Sequence, residues 1–216
     1  MLAELRYGAA VAGPQFYWDS ARRFLLPPAE ERSLASEVRR SLASRGGVLA
    51  SYARRQWRQH ARRHWQARAS ILSHDLSGAL LALRTDAWRA VGPFDEGYRL
   101  YFEETQWLER ARRAGLSGKF VPEAHARHLA GQSTQHEPAA RGWFADSARR
   151  FRAWRYGELW GRLLDGLDRF QSRRPAALVP EASRPHLPGG YPRGGAWIEI
   201  SPLQTGFPAA AERVDE

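Results

Sequence analysis

The sequence predicts an α/β chain, a partial sheet flanked by helices, and three patterns carry that prediction. Apolar runs without helical periodicity at 9–17, 77–83 and 118–121 read as strands. Amphipathic runs at 28–45, 48–71, 103–115, 139–156 and 158–170 read as helices. Proline and glycine accumulate from 171 onward, so 171–216 reads as a linker and tail. Residues 1–77 then hold a strand and two helical segments, and 78–170 hold the compact unit that builds a site.

The first strand, 9–17, is interrupted by Gly13 and Pro14. The helix over 28–45 has proline at its start, acids in its first turn and arginines in its last. The next, 48–71, interleaves Arg54, Arg55, Arg58, Arg62, Arg63 and Arg68 with Tyr52, Trp57 and Trp65. Such a helix either meets an anionic surface or packs its tryptophans on the domain and leaves its arginines in water. The run 77–83 reads as a buried strand, with Gly78 allowing a backbone or ligand to come close. Thr85 or Asp86 is placed to cap a short helix over 86–91, which Gly92 and Pro93 end. Asp95, Glu96 and Gly97 form an acidic turn.

Glu103 and Glu104 open the helix EETQWLERARRAG, where its positive end favours carboxylates. Helical spacing puts Glu104, Trp107, Leu108 and Ala111 on one face and Glu103, Gln106, Arg110 and Arg113 on the other. Glu104 is therefore the acid at the rim of the core and the candidate for proton transfer. A strand over 118–121 ends at Pro122, and 124–129 forms a second extended piece. On it His125 and His128 fall on opposite sides, which disfavours a paired metal site and leaves His128 for a phosphate or hydroxyl. Helices over 139–156 and 158–170 follow, and 196–200 (AWIEI) reads as one more strand before a polar tail.

The chain has 216 residues, no cysteine and a formal net charge of +10, and Lys119 is its only lysine. The missing cysteines exclude disulfides, thiolate zinc sites and a cysteine nucleophile. The charge admits a polyanion partner, or it reflects an arginine- and alanine-rich composition. No apolar run reaches the roughly 20 residues of a membrane span, and the first residues lack a secretory layout. A cytoplasmic chain, peripheral to the inner face of a membrane, is the expectation. Phosphate-loop, dinucleotide and serine-hydrolase motifs are absent, and no base-reading motif accompanies the basic run, which disfavours nucleic acid.

The order Gly78-Ala79, Gly92-Pro93-Phe94-Asp95-Glu96, Glu103-Glu104, Arg110 to Gly115, Val121 to Ala124 and His128 resembles the C-terminal half of family 2 glycosyltransferases. These are bacterial enzymes of GT-A type, including rhamnosyltransferase-like members that build cell-surface polysaccharides. The resemblance covers about half the chain and implies inverting transfer of sugar from a nucleotide-sugar donor to a saccharide or lipid-linked acceptor. It implies Glu104 as catalytic base, with Asp95, Glu103, His128 and Gly78 toward acceptor or substrate. It also implies a divalent metal, Mg or Mn, in the full enzyme. This chain departs in two respects: Gln106 stands where relatives often carry aspartate, and the nucleotide-binding half with its aspartate-x-aspartate metal motif is missing. A truncated or split enzyme, with a partner chain supplying that half, is the resulting expectation. The rival is a non-catalytic basic protein that binds membrane or nucleic acid through 48–71.

Overall fold

The computed structural model describes residues 1–30, 32–43, 47–129, 137–169, 195–201 and 209–214. The fold is mixed α/β, a central sheet flanked by helices. In chain order the elements are α1 (Leu2–Arg6), β1 (Val11–Tyr17), α2 (Leu34–Ala43), α3 (Gly47–Trp65), β2 (Ile71–Leu72), β3 (Ala82–Leu83) and α4 (Thr85–Val91). They continue with α5 (Glu103–Arg113), β4 (Gly118–Arg127), α6 (Ala140–Tyr156), α7 (Glu158–Arg169), β5 (Ala196–Ile200) and β6 (Ala210–Val214).

The four-stranded sheet runs β2-β4-β1-β3. Its spine is the parallel β1–β4 pair, with Val11 opposite Gly118 and Tyr17 opposite Arg127. Gly13 and Pro14 do not interrupt β1 and Pro122 does not end its strand, contrary to the sequence expectations. Pro14 lies past Ala12, the last β1 residue paired with β3, and just before the register shift, so the ladder loses little by its missing N–H. Pro122 falls in the same irregularity: Pro14 pairs with Val121 and Gln15 with His125, leaving residues 122–124 of β4 outside the register. The two pieces expected at 118–121 and 124–129 are thus one bulged strand.

Other boundaries also move. The run 77–83 is a strand only at Ala82–Leu83, and Gly78, Ala79 and Leu80 form an exposed turn. An apolar run does not by itself distinguish a strand from a loop that lies over a helix end. Helix α2 begins at Leu34, not Pro28, because Ser33 and Ser36 form a reciprocal cap. The Ser36 N–H donates to Ser33 Oγ at 3.2 Å and the Ser33 N–H to Ser36 Oγ at 3.0 Å. Glu30 stays outside the helix and takes Arg40 at 2.7 Å. Helix α3 stops at Trp65, since Ile71 and Leu72 are needed to pair with β4. The start of α4 has no side-chain cap, because Asp86 is engaged by Arg84.

Among the described residues, three clusters make the core. In the first, Val11, Leu76, Trp107, Leu108, Ala111 and Phe120 fix α5 to the sheet. Trp107 has no exposed surface, and its indole N–H donates to the Gly92 carbonyl at 2.8 Å. In the second, Ala53, Trp57, Ala61 and Trp65 on one face of α3 pack on Ala209 and Ala211. Ala209 precedes and Ala211 lies in β6, a strand in the segment expected to be a polar tail, and the β5 expected at 196–200 pairs with it. The AAERV run is too short and too alanine-rich to stand out as a strand. In the third, Tyr98, Phe102 and Phe151 join the turn before α5 to α6. The linker expected from 171 onward falls outside the described residues as far as 194, as does the GQST loop at 131–134.

Gly118 shows how tightly β4 is seated: a Cβ there would stand 2.3 Å from the Ser73 carbonyl oxygen, a backbone atom that cannot swing aside. Gly118→Ala is expected to destabilise the fold by about 1–3 kcal/mol, measured by urea denaturation.

Candidate functional site

The site is built on the first turn of α5, and the chain reaches it through strained backbone. Tyr101 and Phe102 have φ of +62° and +73°, the left-handed region that aromatic residues rarely occupy. Each such residue costs on the order of 1–3 kcal/mol and persists only where its surroundings hold it. Here Phe102 is buried 5.4 Å from the rings of Phe144 and Phe151, with the Arg32 guanidinium 5.0 Å from its centroid. The Gln106 N–H donates to the Phe102 carbonyl at 2.8 Å and starts the helix. No glycine in RLYFEE signals this geometry, so it is not legible in the sequence.

Glu103 and Glu104 follow directly. One carboxylate oxygen of each, Oε2, is buried and has no hydrogen-bond partner among the described residues. Glu104 Oε1 accepts a long bond from the Thr105 hydroxyl at 3.4 Å, and the backbone N–H groups of Glu104 and Thr105 at the helix start also favour its charged form. Burial raises the Glu104 pKa above its ordinary value, and the neighbouring Glu103 charge raises it further. Gly78 accounts for the close fit: a Cβ there would lie 2.7 Å from Glu104 Cγ, so any side chain would displace the acid.

Glu37 provides the contrast. It is fully buried where Glu104 is half-buried, and Arg32 and Arg152 lie 3.0 Å away and Arg40 3.6 Å. Burial pushes its pKa up, and the three guanidinium groups outweigh that and hold it below the ordinary value. Glu37 is an ion-pair hub, whereas Glu104 has no cation at hydrogen-bond range among the described residues. A buried acid without a counter-charge is the arrangement that proton transfer needs.

The other candidates are placed differently. Asp95 accepts from the Gly97 N–H at 2.9 Å and from Arg150 at 2.9 and 3.1 Å, and the Arg150 hydrogen bond holds its carboxyl below the usual range. It ties the acidic turn to α6. His128 lies beside β1, its N–H donating to the Tyr17 carbonyl at 2.9 Å and its ring 5.6 Å from Phe16. His125 meets Tyr17 at 5.3 Å. The structure therefore brings Gly78, Glu103 and Glu104 together, whereas Asp95 and His128 make their contacts elsewhere among the described residues. Gln106, assigned by periodicity to the polar face, is buried with its Oε1 unpartnered among the described residues. Arg110, assigned with it, is half-buried and donates to the Val91 and Pro93 carbonyls. A polarity pattern scores both side chains as exposed and does not register that α5 is covered on more than one side.

A stretch of 65 residues, 30% of this chain, is 38% identical to N-acetylglucosaminyl-diphospho-decaprenol L-rhamnosyltransferase in two strains of Mycobacterium tuberculosis. The chain is thus similar in part to a sugar transferase. The match covers 21% of the length of those relatives. No family model matches the chain, and no solved structure matches it. The residues do not fit the metal expected of a full enzyme: among those described, no three His, Asp or Glu side chains form a group able to hold an ion. No helix among the described residues is long and apolar enough to cross a membrane.

The charge coupling in the pair is measurable. The Glu104 carboxyl carbon, followed by NMR, is expected to titrate above the ordinary 4.5, and Glu103→Gln is expected to lower its midpoint by removing a like charge. An unchanged midpoint would show that the two acids do not interact.

Proposed function

We propose that this chain is the acceptor-side half of a GT-A-type family 2 glycosyltransferase that carries out inverting sugar transfer, with Glu104 as its base. The observation that carries this reading is the half-buried Glu104 at the start of α5, its Oε2 buried and without a counter-charge among the described residues, held against Gly78. The partial similarity to a rhamnosyltransferase supports it. In the reaction the acceptor hydroxyl oxygen bonds to the anomeric carbon of the donor sugar. The bond from that carbon to the diphosphate breaks, the nucleoside diphosphate leaves with the electron pair, and the hydroxyl proton passes to Glu104. A general base of this kind contributes about a hundred- to ten-thousand-fold in rate. Glu103 raises the basicity of its neighbour, and Gly78 leaves room for the acid. Asp95 acts indirectly by holding the acidic turn against α6, and His128 lies toward the substrate from the β1–β4 pair. The acceptor class suggested by the relatives is a saccharide on a polyprenyl diphosphate, which fits cell-envelope synthesis. No nucleotide-binding residue and no metal-dependent step is assigned to the described residues.

The test is transfer of L-rhamnose from a nucleotide-activated donor to polyprenyl-diphosphate-linked N-acetylglucosamine, measured with the donor-binding half supplied in trans. Glu104→Gln is expected to lower transfer at least a hundredfold while the protein stays folded, and Glu103→Gln to lower it less. Equal losses would refute the assignment of the base.

Activity and stability should respond to pH in opposite senses. The base is competent only when ionised, so transfer rises as pH climbs through the raised Glu104 pKa. Between the ordinary glutamate value and that raised value the folded state binds more protons than the unfolded state, so this group's contribution to stability falls over the same window. Thermal melts across that window should show the stability of wild type falling relative to that of Glu104→Gln as pH rises.

For the rival reading, Trp57 and Trp65 are buried, so α3 does not present them to a partner. Its exposed side carries Val48, Leu49 and Tyr52 at one end and Arg62 and Arg63 at the other, which favours an anionic membrane surface over nucleic acid.

A further inference from the structure

A cleft of about 560 Å³ opens among α3, the turn after β2, α5 and α6. Arg32, Arg63, Arg112 and Arg155 line it, opposed by Asp75 and Glu109. Glu109 is already shared among guanidinium groups, with Arg112 at 2.7 Å, Arg113 at 2.8 Å and Arg155 at 3.2 Å. Arg32 is held by Glu37, which also serves Arg40 and Arg152. Arg63 is exposed and forms no ion pair among the described residues. Positive charge is therefore in excess on these walls, and a concave surface concentrates its field on an incoming anion.

The second observation is a histidine. His64 lines the cleft and is 3% exposed. Its Nδ1 lies 3.0 Å from the His60 carbonyl oxygen, which can only accept, so Nδ1 carries the proton. Burial lowers its pKa to about 4, so the ring is neutral and Nε2 is a bare acceptor. That Nε2 is buried and has no partner among the described residues, an unfavourable state that a donor would relieve. The edge-on contact with Phe120 at 5.0 Å packs the ring in place.

We propose that this cleft binds a sugar phosphate, with the phosphate or diphosphate on the arginines and a sugar hydroxyl donating to His64 Nε2. The ligand must offer an anion and a hydrogen-bond donor a few ångströms apart, and inorganic phosphate or a bare hexose supplies only one of the two functions well. Thr105 lines the cleft and donates to Glu104, so the ligand sits beside the proposed base. The binding claim stands on the cleft residues alone, and its role as the acceptor's seat rests on the reading above. His64 also borders a cavity of about 30 Å³ next to Gly13 and Leu76, room for one water, which is the competing partner for Nε2.

Calorimetric titration of the full chain with a hexose 1-phosphate, inorganic phosphate and free hexose tests this without requiring transfer. The hexose 1-phosphate is expected to bind most tightly, and Arg63→Ala to weaken both phosphate ligands about tenfold. His64→Phe is expected to abolish the preference for hexose phosphate over phosphate and leave phosphate binding unchanged. Should His64→Phe fail to fold, the nitrogen-15 shift of His64 Nε2 on adding hexose 1-phosphate gives the same answer in the wild type. Co-sedimentation with vesicles carrying a polyprenyl-diphosphate sugar, displaced by hexose 1-phosphate, would make the source a lipid headgroup, and hexose 1-phosphate binding without co-sedimentation would make it a soluble ligand. Equal affinity for hexose phosphate and phosphate, insensitivity to Arg63→Ala, or an unmoved His64 Nε2, with water as its only partner, would overturn the proposal. Because binding is read directly, loss of transfer in Glu104→Gln with binding intact separates this claim from the catalytic one.

Discussion

The constraint on which the rest of the molecule depends is the burial of one face of α5 against the sheet. Trp107, Leu108 and Ala111 lose their solvent to Val11, Leu76 and Phe120, and removing a tryptophan from such a site costs about 3–5 kcal/mol. Once Trp107 is seated and its N–H is bonded to Gly92, the axis and rotation of the helix are set. The first turn then has one place to go, against the turn at Gly78, and its carboxylates go with it.

That placement has a backbone consequence. The chain arriving from the acidic turn must reverse within two residues to enter α5, and it does so through left-handed Tyr101 and Phe102. Aromatic packing against α6 offsets the strain: Phe102 and Tyr98 share a cluster with Phe151, and Asp95 is bound to Arg150 of the same helix. Helix α6 is thus the clamp that keeps the acids where they stand, although it contributes no acid of its own to the pair.

Buried Glu37 and half-buried Glu104 show how environment separates roles for one residue type. Glu37 joins α2 to α6 through Arg152, which also holds Asp165 and Asp168 of α7, and its charge is compensated from three sides. Glu104 has a like charge beside it and no cation at hydrogen-bond range among the described residues. Breaking a compensated pair leaves an orphan charge inside the protein, whereas an uncompensated acid holds free energy that proton uptake releases.

By itself the sequence determined the features that depend on neighbours along the chain. Periodicity placed Glu104, Trp107, Leu108 and Ala111 on one face of α5, glycine and proline marked the end of α4, and the arrangement of helices around strands made the chain α/β. Gly78 was legible as a point of close approach, though its partner was not. Tertiary structure decided what depends on residues far apart in sequence. It joined β1 to β4 across a hundred residues with a bulge that absorbs Pro122, and it turned 78–80 into an exposed loop over the acid. It also buried Gln106, drew β6 onto α3, and set His64 in one cleft with arginines from four separate segments. A local pattern reports the polarity of a side chain, whereas burial and the choice of partner are set by which distant surface arrives beside it.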